Sequence, residues 1–292
     1  GILIYAKGIG LSSIENNTKN NTKTAFSIAS IAKQFTASCI WVLVQEKKLS
    51  LEDDIRKYVP EIPNYGTPIK IKHLLNHTSG IRNYHAIMDL QGFDYDAEYY
   101  NNETVLELAK KQRGLNNKPG EKVLYSNTNY NLLTTIIERI SGKKLNEFAQ
   151  EKLFKPLQMN SSCFKVSNKQ TIENKVTGYQ FLNSNYTTST SSQESYGAGS
   201  MASTVEDLAK WIDVLNGTNS EFKSLSKFLI QCEKLENGEK AKYARGVMVD
   251  NYKGFQTISH SGYGWGGQSQ LITIPEKNLG VVILTNLESI NP

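Results

Sequence analysis

At 292 residues, with 39% hydrophobic and 21% charged content, the chain has the composition of a globular protein with a large core. No apolar run approaches the roughly eighteen residues of a membrane-spanning helix, and the net charge of +5 comes from lysines interleaved with acids, as in Glu46-Lys47-Lys48 and Glu52-Asp53-Asp54. That pattern is a solvated surface and argues against nucleic-acid binding, while three widely spaced cysteines, Cys39, Cys163 and Cys232, argue against a disulfide framework.

In chain order, Gly1 to Lys7 and Lys23 to Ile28 alternate as strands do, with a polar Asn/Thr/Lys run as a loop between them. Ser30 to about Lys47 reads as one helix, apolar nearly all round from Phe35 to Val44, and therefore central and buried. From Leu51 to about Ser200 the text is mainly helix and loop. Ile69 to Asn76, Glu103 to Gln112, Thr128 to Ile140 with Gly142 as its stop, and Leu145 to Phe154 are the predicted helices. The stretch from Asn183 to Ser192 reads as a surface loop, and Ser203-Thr-Val-Glu206 has capping-box spacing ahead of another helix.

After Tyr243 the period changes to two. Gly246 to Asp250, Gln256 to His260, Gln268 to Ile274 and Gly280 to Leu284 are predicted strands, joined by short turns at Asn251 to Gly254 and Pro275 to Asn278. The N-terminal strands need partners, and this meander is the available sheet. The expected class is therefore α+β: an antiparallel sheet formed from both chain ends and flanked by helices, with a mainly helical lobe inserted. Residues 1–60 and 200–292 would form the sheet lobe and 61–199 the helical lobe, with the site between them.

Within the buried helix one residue is out of place. Lys33 stands one turn after Ser30, so the two side chains share a helix face. Burial disfavours the ammonium form and leaves an amine able to take the serine proton. Ser-x-x-Lys also occurs at Ser141/Lys144, Ser162/Lys165 and Ser224/Lys227, but only Ser30 opens an apolar helix. Tyr125 and Asn127 follow a Pro119-Gly120 turn just before a predicted helix. A Tyr-x-Asn spacing recurs at Tyr99/Asn101 and Tyr100/Asn102, so it is cheap by itself. Ile258-Ser-His-Ser-Gly-Tyr-Gly-Trp-Gly-Gly267 ends a strand and opens a glycine-rich turn.

The order of these three pieces resembles the serine β-lactamase and penicillin-binding-protein superfamily, and most of all its class C β-lactamase-like branch of D-Ala-D-Ala carboxypeptidases, D-aminopeptidases and esterases. Leu74-Leu-Asn-His-Thr-Ser-Gly80 and Gly199-Ser-Met-Ala-Ser-Thr-Val-Glu-Asp-Leu208 are similar to family text too, so the resemblance covers essentially the whole chain. It implies that Ser30 is the acylated nucleophile, Lys33 its proton acceptor or relay, and Tyr125 the general base and acid. Asn127 would hold Lys33 and a substrate carbonyl. His260, Ser261, Gly262 and Tyr263 would bind substrate along the strand, with the backbone N–H groups of Ser30 and Tyr263 as the oxyanion hole.

The implied substrates are a D-amino-acid peptide such as a peptidoglycan stem peptide, a β-lactam, or a small ester. The implied cofactor requirement is none, and the implied location is periplasmic or extracellular. His260 departs from the lysine usual in true β-lactamases, which argues against efficient β-lactam hydrolysis. The chain is expected to start inside the first hairpin of the fold and to stop before a C-terminal helix. A non-hydrolytic relative that binds cell-wall peptide is the contrasting reading, and the intact Ser30, Lys33, Tyr125 and Asn127 set argues against it.

His73 and His77 are spaced i, i+4, but Leu74 stands where a metalloprotease helix has its glutamate, so no metal is expected. Tyr84, Tyr263 and Trp265 read as packing residues with a lesser claim on a pocket, and Tyr95, Tyr99 and Tyr100 as a possible cleft rim.

Overall fold

The computed structural model describes residues 2–289. Ala29–Ile31 makes a single tight turn that leads directly into the helix Ala32–Gln45, the axis of the molecule. Its residues Phe35, Ala37, Cys39, Ile40 and Leu43 are fully buried, and so are the polar Lys33, Gln34, Thr36 and Ser38. Buried polar groups need partners. Gln34 accepts the Trp211 indole N–H at 2.6 Å, Thr36 donates to the Gly197 carbonyl at 2.7 Å, and Ser38 returns its hydroxyl to the Gln34 carbonyl at 2.7 Å. Aromatic rings from distant segments close on the same helix, with Phe35 at 4.4 Å from Trp211 and 5.5 Å from Phe154.

The helix Asn127–Ser141 packs beside this axis, and a single hydrophobic core runs through both. It stops where expected, at Gly142 with φ of 69°, a left-handed position that costs glycine little. The C-terminal strands Met248–Tyr252, Phe255–Gly264, Gly267–Ile274 and Leu279–Leu284 form the antiparallel meander in sequence order. Tyr252 faces Phe255 across a two-residue turn in which Lys253 and Gly254 both have positive φ, the turn whose twist suits a hairpin. The second hairpin turns at Trp265-Gly266 between Gly264 and Gly267.

The α+β class holds, but the single sheet from both ends does not. Among the described residues, Leu11–Ser13 pairs only with Thr18–Lys19, and Phe26–Ser27 pairs with Met201–Ser203, which in turn pairs with Cys163–Phe164. Among the described residues, 2–9 form no strand, and Ile2, Leu3, Ile4 and Tyr5 stand exposed. Alternation is a necessary feature of a strand, yet the ladder needs a lateral partner, which a one-dimensional pattern cannot supply. Gly1 and the last three residues lie outside the described residues.

Three local readings shift. The helix after Ser203 is Val205–Leu215, capped by Thr204, whose hydroxyl accepts the Asp207 N–H at 3.1 Å; Ser203 is a strand residue with its hydroxyl 2.8 Å from that of Ser162. The supposed loop after Asn183 contains the second half of a hairpin, Tyr179–Leu182 against Asn185–Thr188. The strand predicted to end at His260 continues to Gly264.

Candidate active site

Ser30 lies in the turn at the head of the central helix, and Ala29 immediately before it is held at φ of 44°, a strained value for a residue with a side chain. The strand Phe255–Gly264 passes close behind. A Cβ added to Gly262 would fall 2.4 Å from the Ile28 carbonyl oxygen, 3.0 Å from the Ala29 Cβ and 2.3 Å from Ser269 Oγ. Glycine there lets the strand meet the backbone next to Ser30. Ser269 Oγ secures the approach with a 2.8 Å hydrogen bond to the Ile28 carbonyl.

Lys33 is fully buried, and desolvation holds its amine well below the ordinary lysine value. Its Nζ lies 3.0 Å from Ser30 Oγ, 2.8 Å from Asn127 Oδ1 and 2.6 Å from the Ala198 carbonyl oxygen. A neutral amine has two N–H bonds and one lone pair. Asn127 Oδ1 and the Ala198 carbonyl can only accept, so they take the two N–H bonds. The lone pair is left facing the Ser30 hydroxyl.

Tyr125 comes from a stretch without regular structure and places its hydroxyl 3.0 Å from Ser30 Oγ. Some 41% of its surface is exposed, yet the protein packed around it raises the phenol above its ordinary value, with the Ser30 hydrogen bond pulling the other way. Burial thus favours the protonated phenol at Tyr125 and the neutral amine at Lys33. Asn127 opens its helix, its backbone N–H capped by Asn83 Oδ1 at 3.2 Å. Its amide nitrogen lies 3.1 Å from His85 Nδ1, a ring that burial, reinforced by Lys33, lowers to about 4. Neutral His85 accepts that amide proton and so fixes which end of Asn127 faces Lys33.

His260 is almost fully buried and is lowered to about 4, first by burial and then by Lys33. Its Nδ1 lies 2.6 Å from the Ser261 carbonyl and must donate there, which leaves Nε2 to accept from the Tyr243 hydroxyl at 3.0 Å. Both nitrogens are engaged, so His260 offers neither a charge nor a free donor to a substrate. Tyr263, at 70% exposure, and Ser261 are the outward-facing members of this strand, and Tyr263 with Gly264 to Gly267 lines the cleft.

That cleft has a volume of about 700 Å³ and joins Ser30, Asn127 and Tyr263 to a wall of Tyr84, His85, Tyr95 and Trp265. Tyr263 and Trp265 are thus cleft residues rather than packing, while Tyr84 does both, lining the cleft and packing with Met88, Tyr100 and Val105. Of the expected rim tyrosines only Tyr95 reaches it, at 6.0 Å from Trp265 between ring centroids; Tyr100 is buried and Tyr99 donates to Glu194. Sequence reasoning missed His85 and Ala198. The Ala198 carbonyl has no side-chain signature, and His85 could have been suspected only as a lone histidine in the first turn of an unpredicted helix, Tyr84–Leu90. His73 and His77 point to other work, since each accepts a backbone N–H at Nδ1, from Lys70 at 3.2 Å and from Ser126 at 3.3 Å.

The chain is similar to known proteins over nearly its whole length. It is 31% identical over 297 residues to protein flp of Staphylococcus aureus strain N315, covering 99% of this chain and 58% of that protein, so it spans little more than half of its curated relative. Among solved structures, the octameric penicillin-binding protein homologue from Pyrococcus abyssi superposes with a TM-score of 0.86 at 30% identity, over 99% of this chain and 68% of that one. The D-amino acid amidase of Ochrobactrum anthropi shares the fold at a TM-score of 0.76 and 22% identity, over 95% of this chain and 81% of that one. The family model described as Beta-lactamase matches residues 1–292. The chain belongs to the beta-lactamase family of serine hydrolases.

Proposed function

We propose that this protein is a serine acyl hydrolase that forms an acyl-enzyme on Ser30 and prefers amides and esters whose leaving group carries no carboxylate. The observation that carries the reading is the pair of 3.0 Å contacts at Ser30 Oγ, one from the Lys33 amine and one from the Tyr125 hydroxyl. Lys33 takes the Ser30 proton as Oγ attacks the acyl carbon. The carbonyl oxygen becomes an oxyanion, for which the family resemblance assigns the Ser30 and Tyr263 N–H groups as donors, each such donor typically lowering a barrier by about 3 kcal/mol. Collapse breaks the bond to the leaving group, which takes the Tyr125 proton, and the proton held on Lys33 then restores Tyr125. Water repeats the sequence on the acyl-enzyme. In this scheme Tyr125 acts as acid and relay and Lys33 as base, because burial moves the amine down and the phenol up.

The leaving-group preference follows from His260. A β-lactam or a terminal D-residue presents a carboxylate beside the scissile bond, and a neutral imidazole with both nitrogens occupied gives it no cation. The amidase likeness is consistent with this choice.

Intact-mass and turnover measurements with a p-nitrophenyl ester, D-phenylalanine amide and benzylpenicillin, each beside Ser30→Ala, test both halves. Ester or amide turnover lost in Ser30→Ala is expected, with penicillin acylating roughly tenfold or more slowly, a difference of about 1.4 kcal/mol. Full activity of Ser30→Ala would end the hydrolase reading. Penicillin acylation faster than ester acylation would end the leaving-group preference alone.

A further inference from the structure

Ser30, Lys33 and Asn127 are positioned by helices, but Tyr125 is not: residues 123–126 form neither helix nor strand. Its hydroxyl must nonetheless stay within 3.0 Å of Ser30 Oγ. The two residues that flank it are both tied to His77. The Leu124 N–H donates to the His77 carbonyl at 2.8 Å, and the Ser126 N–H donates to His77 Nδ1 at 3.3 Å. Between those two hydrogen bonds the His77 ring lies against the Tyr125 ring, with centroids 4.2 Å apart and planes tilted by 42°.

The chemistry of the histidine is fully determined by its neighbours. Nδ1 also lies 3.1 Å from Asn129 Nδ2, while Asn129 Oδ1 accepts the Ser79 hydroxyl at 2.7 Å. Two donors on Nδ1 mean a bare nitrogen there and the proton on Nε2. Nε2 is buried and meets no acceptor among the described residues; the ring is enclosed by Tyr125, Tyr130 and Tyr243. An unmatched buried N–H is unfavourable, and an apolar ring would avoid it. An apolar ring could not accept the Ser126 N–H. His77 also occupies a left-handed position, φ of 58°, which no bulky residue adopts readily. Burial, with Lys33 and His260 nearby, keeps the ring neutral, the form in which Nδ1 can accept.

We propose that His77 is a positioning residue for proton transfer: it clamps the backbone on both sides of Tyr125 and backs its ring, holding the phenol on Ser30. The proposal rests on the acyl-transfer reading of Ser30 and adds what makes Tyr125 competent. The helix-ending turn predicted for His77-Thr-Ser-Gly80 is therefore also part of the active-site framework.

Covalent modification of Ser30 by a fluorophosphonate probe, followed by intact mass, reads the reactivity of the serine directly. Four variants are needed: His77→Gly, which suits the backbone and removes ring and acceptor; His77→Asn, which suits the backbone and restores an acceptor oxygen; Tyr125→Phe; and the double variant Tyr125→Phe/His77→Gly. His77→Gly should slow modification by about 10- to 100-fold, and His77→Asn should recover part of that loss. In the Tyr125→Phe background His77→Gly should add less than about twofold, because the group it positions is already gone.

A His77→Gly factor that is the same with and without the Tyr125 hydroxyl would mean general loosening of the scaffold and would overturn the proposal; so would no loss at all. Should His77→Gly fail to fold in thermal unfolding, the same cycle is read with His77→Asn, where an equal factor in both backgrounds again overturns it. If the unsubstituted protein takes up no probe at Ser30, the acyl-transfer reading fails and the clamp with it, an outcome distinct from labelling with additive variants.

Discussion

The surroundings of Ser30 and the stretch from Lys165 to Ser200 line the same cleft but are built in opposite ways. Around Ser30 each working atom is fixed by a helix or by a buried partner: Lys33 by three hydrogen-bonding partners, Asn127 by Asn83 and His85, Tyr125 through its neighbours by His77. The stretch from Lys165 to Ser200 runs through short strands and loops, with Asn185–Thr188 exposed along its whole length, Asn183 and Ser184 at positive φ, and the cleft residue Lys165 only half-buried. Proton transfer demands fixed distances, and a rigid, desolvated setting provides them. Substrate choice demands a shaped wall, which loops can vary without disturbing the chemistry.

Substitutions should separate the two regions most sharply at the nucleophile. Lys33→Ala, like Ser30→Ala, should lower kcat/KM for an ester by about 10⁴-fold or more, the scale of removing a base or nucleophile that acts as part of a unit. Steady-state kinetics on protein whose unfolding temperature is unchanged checks this, and a Lys33→Ala enzyme within tenfold of the parent would break the contrast.

A smaller effect is expected in stability against pH. His260 has a folded value near 4 against an ordinary 6.5, so between those limits the unfolded chain binds a proton that the folded one refuses. Stability should therefore fall as pH drops from 6.5 toward 4, by about 1 kcal/mol per unit for this residue. His85 and His73, each also lowered to about 4, add to the same slope. Urea unfolding at pH 7 and pH 5 should show a gentler dependence in His260→Gln than in the parent. An unchanged slope would mean that His260 is not held neutral, and the leaving-group argument would lose its basis.

On the other lining, Lys165→Ala should leave kcat within about twofold and change KM for an acyl donor by no more than about tenfold, in line with a group that contributes uniform binding. A loss of kcat comparable to that of Lys33→Ala would erase the distinction between the two regions.

Read locally, the chain carried a good deal of this. The buried helix with its lone lysine was legible because helical period and burial are properties of neighbouring residues, and so were the four meander strands and the Gly142 stop. Ser30 and Lys33 could be paired because three residues on a helix is a fixed distance.

What lay beyond it needed the third dimension. The approach of Asn127 Oδ1 and the Ala198 carbonyl to Lys33, the tautomer of His260, and the His77 clamp join residues separated by 94, 165, 17 and 49 positions, and no spacing rule reaches that far. The alternation at Gly1 to Lys7 misled for the same reason, since a strand is made by its partner. The sequence alone determined which residues could do chemistry; tertiary packing decided which of them are dry, neutral and within reach, because burial and proton position depend on everything that surrounds a group in space.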